Sequence, residues 1–224
     1  DAFVRLKKNR LSMLGGIIVI AILFACFILG PVLGWLGFSA TEQDLTNRFA
    51  NPLSDNGLFG TDQLGRDLLM RVLEGGQISL LVAIMATVMT VTIGIIYGGI
   101  AGYIGGRLGN VMMRIVDGLL AMPFLIIVIL FRELISGHVD EMARFLIDSW
   151  GWSTDLVLRY SNLVPLTFAI AGFGWLTMGR IVRTAAASLT KQEFVEAARS
   201  LGLSHARILF RPILPNMLGP VIIY

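Results

Sequence analysis

"LSMLGGIIVIAILFACFILGPVL", Leu11 to Leu33, decides the class of fold. It carries no charged residue and exceeds the roughly 20 residues that a helix needs to cross a bilayer. Lipid offers no partner for backbone N–H and C=O groups, so such a run must be helical. Outward from it lie three further runs of this kind: Ile78 to Tyr103, Val111 to Phe131, and a shorter, glycine-broken one from Leu163 to Ile181. A fifth begins after Pro215. The composition agrees, with 55% hydrophobic and 15% charged residues and a mean hydropathy of +0.77, where a soluble domain carries about 25% charged residues. The predicted fold is all-α: a polytopic transmembrane helical bundle with four full spans plus the start of a fifth. A net charge of +3 is too small to point to nucleic acid. Cys26, the one cysteine, lies inside the first run and reads as packing material. That run is too long for the apolar part of a cleaved leader and reads as a true span.

The basic residues orient the chain. With the N-terminus inside, twelve of the eighteen Lys and Arg residues fall on the inner side, including Arg5, Lys7, Lys8 and Arg10. Eleven of the fifteen acids fall on the outer side. The lipid bilayer is thus the first partner, and the chain divides into residues 1–37 (basic N-terminus and first span), 38–77 (external loop with an interfacial helix) and 78–224 (core). Residues 132–162 are expected to form a second, acidic external loop containing Trp150 and Trp152.

Between the fourth run and the fifth lies "EFVEAARSLGLSHARILFRPILPN", residues 193–216. Lys191 to Leu201 reads as a short amphipathic helix with Phe194, Ala197, Ala198 and Leu201 on one face. Gly202 suits its C-cap, Ser204 an N-cap for a second short helix, and Pro212 and Pro215 the end of that piece. The result is a helix–turn–helix bracket on the inner side, equally readable as a plain loop helix lying on the membrane. Glu196-Ala197-Ala198, Gly202 and then Ile213-Leu214-Pro215 resemble the EAA signature of ABC importer permeases, in both spacing and placement between two spans. Pro212 stands where this subfamily often has histidine.

Residues 59–83, "FGTDQLGRDLLMRVLEGGQISLLVA", carry a second constellation. Thr61 or Asp62 is placed to cap a helix with Leu64, Leu68 and Val72 in an apolar stripe, ended by Gly75 and Gly76. Asp62 with Arg66, and Asp67 with Arg71, have the i,i+4 spacing of ion pairs. The string Gly60-Thr61-Asp62, Gly65-Arg66-Asp67 resembles the C-type permease of the dipeptide/oligopeptide/nickel importers. In "RIVDGLLAMP", Asp117 is a carboxylate within a span, expected to pair with Arg114 one turn back, ahead of a kink at Pro123. Gly94, Gly98, Gly102 and Gly106 form a ladder at four-residue spacing, a seam for close helix packing.

No lysine follows a glycine, so the sequence has no phosphate-binding P-loop. His138 and His205 stand alone, and no nucleophile elbow or Cys/His cluster is present, so no catalytic or metal-binding residue is assigned. The resemblance covers residues 1–224 and implies a complete member with six spans, of which this sequence would be part. It further implies ATP-driven import of peptides across the cytoplasmic membrane, with the EAA loop at 191–215 coupling ATPase closure to alternating access. The implied partners are a second homologous permease, two ATPase subunits that bind ATP and Mg, and an external substrate-binding protein, with no cofactor in this chain. Its rival is a non-transporting membrane scaffold, or a membrane-embedded enzyme with active residues beyond the C-terminal end of this sequence.

Overall fold

The computed structural model describes residues 9–53 and 58–223. Arg5, Lys7 and Lys8, used to orient the chain, lie outside the described residues. Those described are overwhelmingly helical, and none forms a strand beyond an isolated bridge between Thr61 and Asp67. The chain divides into two compact units, 1–81 and 82–224.

In the first unit, α1 (Arg10–Trp35) is apolar on every side and leaves Leu14, Ile17, Ile20 and Phe24 exposed. A helix with that surface is stable only in lipid. A π turn at Ala25–Leu29 interrupts it. Beside that turn, buried Cys26 and Gly30 pack on Leu73 and Gly76, in the first turns of α2 (Leu68–Ile104). Cys26 is packing material, as its surroundings in the sequence suggest. The helix expected from about Thr61 instead starts at Leu68, and it runs through Gly75 and Gly76 without a break. Asp67 caps it, accepting the backbone N–H of Leu69 at 2.8 Å and of Met70 at 3.2 Å.

In the second unit, Gly105 and Gly106 turn the chain from the end of α2 into α3 (Gly106–Leu120). α4 (Phe124–Trp150), α5 (Thr154–Ser161) and α6 (Leu163–Leu189) follow. Here two expectations need correction. The third span was read as one run from Val111 to Phe131, but α3 and α4 meet at 94° across Ala121–Pro123. Pro123 has no N–H to donate, and its ring disfavours helix in the residue before it; the kink was foreseen, its size was not. The acidic stretch 132–162, expected as a loop, is mostly the continuation of α4 and then α5. Among the described residues three helices, α1, α2 and α6, are long and apolar enough to cross a membrane, and the bent α3–α4 pair makes up to four.

The glycine ladder is a seam in three of its four rungs. A Cβ added at Gly94 would press on Met178, at Gly98 on the carbonyl of Gly179, and at Gly102 on the carbonyl of Arg183. α2 and α6 therefore touch backbone to backbone, which only small residues allow. Gly106 meets nothing and serves the turn instead. On one side of this seam Ala101, Met113, Val116 and Leu176 form a buried cluster, flanked by Tyr97 edge-on to Trp175 at 4.8 Å.

Candidate functional site

The bracket grows directly out of α6. After Leu189 the chain turns through Thr190, whose hydroxyl donates to the Ala187 carbonyl at 2.8 Å, and Gln192 adopts extended backbone ahead of α7 (Glu193–Ser200). Glu193 and Glu196 sit in the first turn of α7 and Arg199 in its last, the arrangement a helix dipole favours. Leu201 and Gly202 close α7 in a Schellman motif. Gly202 N–H donates to Arg199 at 2.9 Å and Leu203 N–H to Ala198 at 3.2 Å, with Gly202 at φ +75°. The expected glycine cap is therefore present.

The expected apolar face needs correction. Val195 is the residue that α7 fully buries, and Ala198 is half-buried beside it. Phe194, Ala197 and Leu201 point outward, Leu201 at 79% exposure, next to exposed Glu196. One face of α7 is thus held in the core while the other presents an apolar and acidic strip.

Past the turn, α8 (His205–Ile208) leads through a π turn at Leu209–Ile213 into α9 (Leu214–Ile223). Ser204 takes the N-cap position with extended backbone, but its hydroxyl makes no capping bond. Pro212 and Pro215 do not end the helix as expected. The π turn takes up Pro212 inside a helical path from His205 to Ile223, and Pro215 lies exposed near the start of α9. Leu214 packs half-buried on the core. That core joins Met178, Val182 and Ala186 of α6 to Val195, Ile208, Ile213 and Met217, with Tyr103 against it.

Three residues here escaped the sequence reading. The hydroxyl of Tyr103, at the end of α2, bonds His205 Nδ1 at 2.7 Å, and the two rings meet edge to face at 5.8 Å. The Arg199 guanidinium lies 5.8 Å from the centre of the Tyr103 ring. His205 is therefore not an isolated loop histidine.

In the first unit, the Gly60–Asp67 motif is a folding hub rather than a helix. Thr61 is buried; its hydroxyl donates to the Asn47 carbonyl and accepts the N–H of Ala50 at 2.9 Å. Gly60 and Gly65 both have positive φ and no room for a Cβ beside the carbonyls of Ala50 and Asp44. Asp62 accepts the backbone N–H of Leu64 at 2.8 Å and of Arg66 at 3.0 Å, the Arg66 side chain at 2.9 Å, and Arg71 as well. Arg71 thus pairs with Asp62, not with Asp67 as expected. Desolvation works to raise the Asp62 pKa, but the backbone N–H of Arg66, its guanidinium and the N–H of Leu64 outweigh it and hold the carboxyl well below the ordinary range. Asp44 is likewise depressed, chiefly by the hydroxyl of Thr46 and then by the side chain of Asn47. In the second unit, the partner of Asp117 is Arg180 of α6, at 2.5 Å, and not Arg114. The α3 backbone directs Asp117 toward α6, which spacing along one helix does not reveal.

The family model for the binding-protein-dependent transport system inner membrane component matches residues 94–224, from the first rung of the glycine seam through the whole bracket. The chain belongs to this permease family. A second model, the N-terminal TM domain of oligopeptide transport permease C, matches residues 1–52. The permease is 36% identical over 223 residues to the dipeptide transport system permease protein DppC of Bacillus subtilis (strain 168), covering all of this chain and 61% of that protein. It is 38% identical over 224 residues to the oligopeptide transport system permease protein OppC of Escherichia coli (strain K12), covering all of this chain and 66% of that protein. Against OppC of Salmonella typhimurium the identity is 40%, again over 66% of the relative. The chain thus spans three-fifths to two-thirds of the length of these curated relatives.

Proposed function

We propose that this chain is the C-type permease subunit of an ATP-driven importer of peptides, and that the bracket is where ATPase movement enters it. The observation that carries this reading is the two-sided α7. Val195 and Ala198 bind it to the core, while Phe194, Ala197 and Leu201 with Glu196 face outward without a covering element in the same unit. A load applied to that strip passes into α6 and α9 through the shared core, because packed cores shift as bodies rather than deform. The names of the relatives, dipeptide and oligopeptide permeases, support the solute class.

In this reading a second homologous permease completes the pathway, two ATPases hold the ATP and Mg, and an external binding protein delivers the peptide. The N-terminus lies in the cytoplasm, the bent α3–α4 pair makes one crossing of the cytoplasmic membrane, and α9 begins the fifth span. Residues 1–37, 38–77 and 78–224 then serve as anchor, external platform and moving core. Residues Glu196, Ala197, Ala198, Gly202, Leu214 and Pro215 make the coupling element, Gly60 to Asp67 shape the platform, and Arg114 and Asp117 lie in the second half of α3, ahead of the bend.

The test uses the full-length subunit reconstituted with its partners. Gly202 has open space around it, so Gly202→Val acts through its positive φ alone, costing on the order of 1 kcal/mol and re-aiming α8. Glu196→Lys reverses the charge of the outward strip. Both variants are expected to insert normally and to lose stimulation of ATP hydrolysis by binding protein and peptide. Wild-type stimulation and uptake in both would sink the coupling role.

A further inference from the structure

The joint at Gly202 raises a mechanical question. No heavy atom lies within 4 Å of where its Cβ would stand, so on that side the angle between α7 and α8 is set by the Schellman hydrogen bonds and the shared core alone. The Tyr103 side chain touches both limbs: Arg199, three residues before the joint, lies over its ring, and His205, three residues after, bonds its hydroxyl. Its own backbone is fixed, because neighbouring Gly102 is seated against the Arg183 carbonyl and Ala186 of α6. On its open side the ring borders a cavity of about 780 Å³ lined also by Ile100, Ile104, Leu209 and Phe210. The ring therefore packs on the core from one side only, and the contacts to Arg199 and His205 complete its placement on the other.

We infer that Tyr103 is a positioning residue that holds the two limbs of the bracket at a fixed angle and carries their movement into α2. This rests on the coupling reading above and adds a second route to it, beside the apolar core that carries movement into α6. The bond to His205 survives either charge state of the imidazole. A neutral ring with a bare Nδ1 accepts the Tyr O–H, and an imidazolium donates to the Tyr oxygen. The clasp is a mechanical link and not a proton switch.

The experiment measures solute carried per ATP hydrolysed in proteoliposomes holding the full-length complex, with its binding protein and radiolabelled di-, tri- and tetra-alanine. Tyr103→Leu removes one hydrogen bond and one cation–π contact, and is expected to lower the ratio about fivefold. Tyr103→Phe keeps the ring over which Arg199 lies and is expected to recover more than half of that loss. A purely structural role would lower yield and thermal stability and leave the ratio alone. Should Tyr103→Leu not assemble, Arg199→Met with His205→Ala removes both partners from the exposed side and is expected to reproduce the fivefold loss. A wild-type ratio in Tyr103→Leu or in that double variant, with Gly202→Val uncoupled, overturns the role of Tyr103 alone. A wild-type ratio in Gly202→Val and Glu196→Lys as well overturns the coupling reading beneath it.

Discussion

Gly102→Ala tests the seam between α2 and α6. The added Cβ would stand 2.5 Å from the Arg183 carbonyl oxygen and 2.7 Å from Ala186 Cβ. A carbon needs about 3.3 Å from a carbonyl oxygen, so the helices must part locally by roughly 1 Å. The obstacle is backbone, and no rotamer change relieves it. Overpacking of this kind costs about 1–3 kcal/mol, and the gap opened on either side forfeits part of the dispersion contact. Against this, alanine improves helix propensity by up to about 1 kcal/mol. The clash wins, leaving a net loss of about 1–2 kcal/mol, which lowers the unfolding temperature by about 2–8 °C for a chain of this size. Gly118→Ala in α3 meets nothing within 4 Å and keeps only the propensity gain. Thermal unfolding of the two purified variants in one detergent, followed by tryptophan fluorescence, makes the comparison. If Gly102→Ala melts with Gly118→Ala at or above wild type, the helices do not meet at the seam and the packing argument is wrong.

Three more outcomes are expected. Because the Asp62 carboxyl is depressed in the fold, its stabilisation of the external loop is complete above the ordinary aspartate pKa of about 4 and fades as pH falls below it. Resistance of the Asn47–Arg71 region to an acid-active protease should hold from neutral to about pH 5 and decline below, and Asp62→Asn should be sensitive throughout; a midpoint near pH 6–7 refutes the assignment. Asp117 and Arg180 join α3 to α6 within candidate spans, so each single neutralisation leaves a charge without its partner and should lower the amount of assembled complex, and the swap Asp117→Arg with Arg180→Asp should recover it. A swap worse than the sum of its parts speaks against the pair. In a Cys26→Ala background, an impermeant thiol reagent applied to intact cells should label Ser153→Cys and not Ser204→Cys; the reverse pattern overturns either the cytoplasmic N-terminus or the crossing by the bent α3–α4 pair.

Much of the fold was legible because lipid imposes a one-dimensional rule. Twenty apolar residues in a row must be a helix, whatever surrounds them, and so Leu11–Leu33, Ile78–Tyr103 and Leu163–Ile181 are found in α1, α2 and α6. Local backbone chemistry was legible for the same reason. Gly202 stands at a helix end, and a positive φ there is a property of a few consecutive residues. The glycine ladder announced a close partner through its spacing, though not which helix that partner is.

What spacing along the chain did not contain is anything decided by a second segment. Asp117 chose Arg180 over Arg114, and Arg71 chose Asp62 over Asp67, because contact in space outranks i,i+3 or i,i+4 proximity when another element brings a charge closer. The bend of 94° at Ala121–Pro123 follows from where α4 packs along α6, as proline licenses a kink without setting its angle. On α7, periodicity offered Phe194, Ala197, Ala198 and Leu201 as one apolar face. The core took Val195 and, of that face, only Ala198 in part, because the inner face is set by where α6, α8 and α9 lie against α7 and not by the periodicity of α7 itself. Tyr103 and His205 lie 102 residues apart, and only the approach of α2 to the bracket makes them neighbours.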